Sequence, residues 1–234
     1  MDLIFDSSGS PRSLIISASE LSAREGMNLQ KGMNYRDSGE SLSVLLVLER
    51  EGIFTDLFDT TRGMYEYEGH DSVAEGAEGR RDDQLLMYAS GKPTDNGKFY
   101  KAANAFKEGL RPEPLQVQIY EKLDPGVWFD KGIFNLIDAT YRREERDGIS
   151  RKVARFYLVP ADAMLPVTER MLWNERMLPA SVKTLVWARD RGRCSVCDEQ
   201  SGLHFAAPRR GHTLEEVGAV ALFCSTHLDS AAKL

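Results

Sequence analysis

Residues 42–48, LSVLLVL, form a short apolar run of strand length. Residues 115–123, LQVQIYEKL, alternate apolar with polar positions in the period of two expected of a half-buried strand. Two further runs, GIFNLIDATYR from Gly132 and VARFYLVP from Val153, flank the charged segment REERDGIS. The Asp147-Gly148 pair within it is a two-residue turn signal, so these runs predict a β-hairpin. KFYKAANAFKEGL, residues 98–110, instead places Phe99, Ala102, Ala103 and Phe106 at helical spacing, stops at Gly109 and meets Pro112 beyond, which predicts a helix. From Glu66 to Asp83 the sequence EYEGHDSVAEGAEGRRDD is Gly-rich, charged and nearly free of large apolar residues, which predicts an exposed loop of the kind that often carries function. After Pro160 the pattern turns helical, MLPVTERMLWNERMLPASVKTLVWARD, and is broken by Pro166 and Pro179, as a linker and the first helix of a new domain would read. The expected division is 1–164 and 165–234, with a β-rich first part and an α+β fold class.

A chain of 234 residues accommodates one medium domain and one small one. Apolar residues at 42% and charged residues at 28% are ordinary globular values, which exclude wholesale disorder. There is no run of 18 uncharged apolar residues and no signal-peptide pattern in the first thirty, so a soluble cytoplasmic protein with no membrane partner is expected. The net charge of −6 argues against coating nucleic acid through the overall field. Basic residues nevertheless gather at Arg142, Arg143, Arg146, Arg151, Lys152 and Arg155, and again at Arg189, Arg191, Arg193, Arg209 and Arg210. The plain reading of each cluster is a solvated charged face.

All three cysteines lie in the C-terminal part, as Cys194-x2-Cys197 and Cys224-x2-His227, with 26 residues between the pairs. Zinc takes four tetrahedral N or S ligands, and two short-loop pairs brought together by a hairpin supply them. A segment with little core of its own gains folding energy from the metal. The competing reading, a Cys-x2-Cys redox pair, lacks the βαβ context it requires. A structural zinc held by Cys194, Cys197, Cys224 and His227 is therefore expected.

The segment from Val182 to Leu234 resembles HNH (ββα-metal) endonuclease domains in the version stapled by a structural zinc. Trp187, Arg189, Asp190, Gly192, Arg193, the four zinc ligands, Leu203, His204 and Phe205 carry the likeness. In that family the strand after the first knuckle runs into an Asp-His pair that holds a divalent metal and activates water. Here those positions are Ala206 and Ala207, and Leu228 stands where an orienting Asn is usual. Alanine cannot accept a proton, so the usual nuclease centre is missing. Two histidines are substitutes to consider: His204 on the same strand, whose offset of three residues points it to the opposite face, and His212 in the loop with Glu215 or Glu216 nearby.

From about Ser13 to Pro160 the chain resembles an SRA (SET and RING associated) domain, a β-rich PUA-like barrel that flips a modified cytosine out of duplex DNA. The likeness rests on SVLLVLEREGIFTDLFD, on EYEGHD followed by DDQLL, and on LQVQIYEKL with the later hairpin. A flipped base is clamped between aromatic faces and its Watson–Crick edge is read by hydrogen bonds. The resemblance implies Asp56 as the carboxylate that accepts from the exocyclic amine. It also implies Tyr67 as the stacking aromatic and Phe54 or Ile53 as the second. Glu68 replaces the family's Thr, and His70 and Asp71 break its Gly pattern. Without the resemblance, Asp56 and Asp59 read as turn residues and Phe54, Phe58, Tyr65 and Tyr67 as core.

SRA followed by HNH is the layout of modification-dependent restriction endonucleases, which usually act as dimers. The layout implies a bacterial defence protein, nucleoid-associated when bound, that reads 5-methyl- or 5-hydroxymethylcytosine in double-stranded DNA. Arg189, Arg191, Arg193, Arg209 and Arg210 would contact phosphates. Two alternatives stay open. One is cleavage through His204 or His212 with Mg2+ or Mn2+; the other is a zinc-stapled protein-interaction module without a DNA role, which the acidic balance favours.

Overall fold

The computed structural model describes residues 13–26, 29–36, 42–47, 57–59, 62–71, 82–161, 175–206 and 217–231. The chain divides into two compact units: Met1–Asn28, Tyr120–Lys131 and Leu165–Leu234 form one, and Leu29–Ile119 with Gly132–Met164 the other. Strands β6 (Leu115–Asp124) and β7 (Val127–Arg146) run through both.

The second unit is a twisted sheet with one helix. Its strands are β2 (Gly32–Asn34), β3 (Ser43–Val47), β4 (Leu57–Asp59), β5 (Met64–Glu68), β8 (Ile149–Pro160) and the adjoining parts of β6 and β7, in the order β2-β3-β6-β7-β8-β5-β4. The apolar run read as a strand is β3, all five residues of which are buried. β7 and β8 form the expected hairpin: Arg146 faces Ile149 in the register, and Asp147 (φ 52°) with Gly148 (φ 74°) makes the turn. Paired positive φ values at the two central residues match the strand twist, which is why Asp-Gly serves there. α2 (Asp95–Lys107) begins three residues before the expected start, because Thr94 caps it by accepting from the Gly97 N–H. Phe99 from this helix packs edge-to-face on Phe156 of β8 at 6.0 Å.

One expectation fails here. Glu66–Glu68 is strand rather than exposed loop: MYEYE alternates, and Tyr65, Tyr67 and Glu68 are buried as β5 pairs with β8. At the loop's far end Asp82 is exposed and Asp83 half-buried, and the chain turns inward just beyond it, at the fully buried Gln84. Residues 72–81 lie outside the described residues.

In the first unit, β1 (Ile15–Ser17) pairs with the start of β7 and leads directly into α1 (Ala18–Glu25). A capping box starts that helix: Ser17 accepts from the Glu20 N–H while Glu20 accepts from the Ser17 N–H. The C-terminal part supplies α3 (Ala180–Asp190), the antiparallel pair β9 (Leu203–Ala206) and β10 (Ala221–Cys224), and α4 (Ser225–Ala231), a ββα arrangement. Leu14, Phe129, Val182, Val186, Leu203, Phe205 and Leu222 form its core, with Phe129 edge-to-face on Phe205 at 5.9 Å. Inside lies an ionic cluster: Glu121 pairs with Lys131 at 3.0 Å and with Lys183, all three side chains being fully buried. Lys131 also donates to the Leu178 carbonyl at 3.1 Å, and the Lys183 ammonium sits 3.7 Å above the Phe129 ring. Among the described residues no helix is long and apolar enough to cross a membrane.

Candidate functional site

Two places carry chemistry. The first is the Cys/His cluster of the first unit. The donor atoms of Cys194, Cys197, Cys224 and His227 all lie within 4.8 Å of one another. Cys197 and Cys224 Sγ are 3.7 Å apart, Cys194 Sγ lies 3.7 Å from His227 Nδ1, and Cys224 Sγ lies 3.3 Å from the same nitrogen. With metal–sulfur bonds of about 2.3 Å, the edges of a tetrahedron are about 3.8 Å, so the four atoms are spaced to hold a metal ion. The cysteines are free of disulfides. The knuckle is set by the backbone: the Cys194 N–H donates to the Glu199 carbonyl and the Asp198 N–H to the Cys194 carbonyl, with Asp198 at φ 62°. Burial pushes the Cys194 thiol up, but backbone N–H groups of Cys224, Val196 and Cys197, together with His227, outweigh it and bring the pKa down to about 6. That favours the thiolate a metal requires.

Around this cluster the candidate residues have distinct fates. His204 is 1% exposed; its Nδ1 lies 3.2 Å from Glu175 Oε1 and its Nε2 3.5 Å from Ser225 Oγ, while Glu175 Oε2 accepts from the Phe205 N–H at 3.0 Å. It is an interior polar brace. Arg189 is committed within the fold: it donates to both oxygens of Asp190 and to the Val220 carbonyl, and Asp190 in turn accepts from the Leu222 N–H. Arg191 and Arg193 are exposed. Arg191 borders an open groove of about 490 Å3 lined also by Asp124, Trp187 and Gln200. Ala206 ends β9 and Leu228 is buried. Ala207, Arg209, Arg210, His212, Glu215 and Glu216 lie outside the described residues.

The second place is the turn Gly69–Asp71 after β5. Gln84 spans it: its Nε2 donates to the Gly69 carbonyl at 2.7 Å and to Asp71 at 3.2 Å, and its Oε1 accepts from the Ala154 N–H at 2.9 Å. The Gly69 N–H reaches the Ala154 carbonyl at 2.9 Å. Asn96 grips the next residue from the other side, accepting from the His70 N–H and donating to the His70 carbonyl. A Cβ on Gly69 would lie 2.7 Å from the Asn96 Oδ1 and 2.9 Å from the Gln84 Oε1, so a larger residue there would have to displace the two amides that grip the turn. Asp71 is held by Arg151.

Of the residues implied for base recognition, Tyr67 is 5% exposed and faces the core side of β5. Glu68 is buried, with Arg151 at 3.1 Å, Arg155 at 3.5 Å and Arg146 at 3.9 Å from its carboxylate. Phe54 and Asp56, with Ile53, lie outside the described residues. Of the residues that fix the turn, Gln84 stands in the DDQLL likeness, His70 stands out only as a break in the glycine pattern and Arg151 only in a basic cluster, while Asn96 has no local signal.

No protein-family model matches the chain, and no curated protein matches it. Parts of it are similar to solved structures at low identity. The SRA domain of SUVH5 in complex with fully methylated CG DNA has a TM-score of 0.41 and 16% identity, over 63% of this chain and 86% of that one. The DNA modification-dependent restriction endonuclease AspBHI has a TM-score of 0.43 and 16% identity, over 70% of this chain and 42% of that one. KRYPTONITE in complex with mCHH DNA has a TM-score of 0.45 and 13% identity, over 72% of this chain and 35% of that one.

Proposed function

We propose that the protein binds duplex DNA and reads a modified cytosine, flipped from the helix, at a site beside the Gly69–Asp71 turn. Its HNH-like module lacks the usual catalytic histidine. The observation that carries this reading is the turn itself. A turn held by two buried amides and a histidine is preorganised, and preorganisation is what a site for an extruded base needs, since unstacking already costs a few kcal/mol. Asp56 would accept from the exocyclic amine and Phe54 would stack on the base. Tyr67 and Glu68, both buried in β5, would support the site from behind; Glu68 is held in place by Arg151 and Arg155.

In the other unit the Cys3His set fits zinc: soft thiolates with one imidazole, in tetrahedral spacing. Zinc bound there would cross-link the two knuckles and thereby fix the exposed Arg191 and Arg193 for phosphate contact. Arg209 and Arg210 would extend that contact, and Arg189 would support it by bracing β10. The His204 ring, closed in by Glu175 and Ser225, supports binding over cleavage.

The test is a mobility-shift series with unmodified, 5-methylcytosine and 5-hydroxymethylcytosine duplexes, with and without Mg2+ or Mn2+. A shift selective for modified duplex with the DNA left intact is expected. Equal affinity for all three would overturn base reading, and cleavage would overturn the silent-nuclease assignment. Asp56→Ala should remove the preference and leave weak, salt-sensitive binding.

A further inference from the structure

The turn that Gln84 and Asn96 grip by its backbone is held a third time, by a side chain. The His70 ring turns back on β2, where its Nε2 accepts from the Met33 N–H at 3.0 Å. Gly32, at φ 83°, leaves the space for it: a Cβ there would lie 1.7 Å from the His70 Nε2. An imidazole nitrogen that accepts carries no proton, so the ring making this contact is neutral, with its hydrogen on Nδ1.

The charged groups around it are few. Asp71, on the same turn, is engaged by Arg151; Asp95, in the first turn of α2, is paired with Lys98 at 2.8 Å. The remaining side chains on this network, Asn96 from α2 and Gln84 from the segment before it, are neutral amides. Burial lowers the His70 pKa from its ordinary value, against the opposing pull of Asp95 and then Asp71. The neutral form therefore prevails at neutral pH and is lost only on acidification.

We infer that His70 is a positioning residue for base reading: its neutral ring latches the Gly69–Asp71 turn to β2 through the Met33 N–H, and protonation unfastens the turn. The inference rests on the base-reading function proposed above. A protonated Nε2 would present a donor to a donor, so the contact cannot survive in that form. Affinity for modified duplex would then track the fraction of protein with His70 neutral, falling up to about tenfold per pH unit below its titration.

The whole 234-residue chain, loaded with zinc, tests this in two readouts. Fluorescence anisotropy with methylated and unmodified duplexes, from pH 5 to 8 at fixed ionic strength, is recorded for the wild type, His70→Gln and His70→Ala. The Met33 amide is followed by NMR over the same range without DNA. The wild type should lose its preference for methylated duplex on acidification while its Met33 amide shifts with an apparent pKa below 6.5. His70→Gln, whose amide oxygen still accepts, should keep the preference with a flat pH profile; His70→Ala should be weak throughout. An unmoved Met33 amide, or the same pH profile in His70→Gln as in the wild type, overturns the latch. A titrating Met33 amide with no preference for methylated duplex at any pH overturns base reading instead.

Discussion

At the Cys3His cluster backbone hydrogen bonds and the core shape the knuckles and bring four donor atoms within 4.8 Å of one another, but no bond of the chain's own cross-links the four side chains as a metal would. At the Gly69–Asp71 turn it supplies everything: one glutamine, one asparagine and one histidine reach backbone groups of the turn and of its neighbours. Both are short polar segments that apolar packing alone cannot fix. The first would be completed by an ion from solution and would then be open to chelation. The second depends on buried hydrogen bonds and is vulnerable to any change that strands one partner.

The sharpest break of that contrast is Cys224→Ser. It should lower zinc content below one per chain by atomic absorption. It should also cost the first unit most of its metal-derived stability, on the order of 10 kcal/mol at neutral pH, read as loss of its thermal transition. Adding a strong chelator to the wild type should reproduce the effect.

Next in size is Glu121→Gln, which strands two buried ammonium groups and should cost about 3–5 kcal/mol in denaturant unfolding. Lys183→Met should be near neutral or stabilising. Burial, offset only in part by Glu121, lowers the Lys183 pKa to about 7. Between that value and the ordinary 10.5 the unfolded chain binds a proton that the folded chain does not. Wild-type stability should therefore rise from pH 7 toward pH 10, and Lys183→Met should flatten that slope. A slope unchanged in the variant would put the effect elsewhere.

Gln84→Leu leaves the Gly69 carbonyl and the Ala154 N–H without their side-chain partner in a buried place. It should cost about 2–4 kcal/mol and weaken DNA binding without altering zinc content. Ser17→Ala sets the lower end of the scale: losing the capping box of α1 should cost about 1 kcal/mol by thermal denaturation and touch neither DNA affinity nor metal.

The same contrast explains what could be read from the sequence. Metal ligands announce themselves, because two ligands must share one short loop, and Cys194-x2-Cys197 with Cys224-x2-His227 states the site in the chain itself. The β3 run and the β7–β8 hairpin were equally plain, one from unbroken apolarity and the other from Asp-Gly between alternating runs. The turn network was not legible. Gln84 and Asn96 are ordinary polar residues until β8 and α2 bring them to the Gly69 backbone. Charge and glycine content made residues 66–83 look like loop throughout, but cross-strand pairing with Tyr157 and Arg155 makes Glu66 and Glu68 strand residues. The Ser17-x-x-Glu20 signal of α1 was present and went unread, because it follows a strand of only three residues. Arg189 looked like its basic neighbours; its engagement by Asp190 and Val220 depends on where β10 passes.

The Glu121–Lys131–Lys183 cluster has a consequence for transplantation. The segment that carries the Cys3His cluster is not a cassette that can be lifted out at residue 165. Excised alone, it would carry Lys183 without its counterion, the Leu178 carbonyl without Lys131, and Val182 and Val186 without Phe129 to cover them. A chimera seeking this module would have to graft the hairpin of residues 120–131 with it, choosing its cut sites by charge partnership instead of by position along the chain.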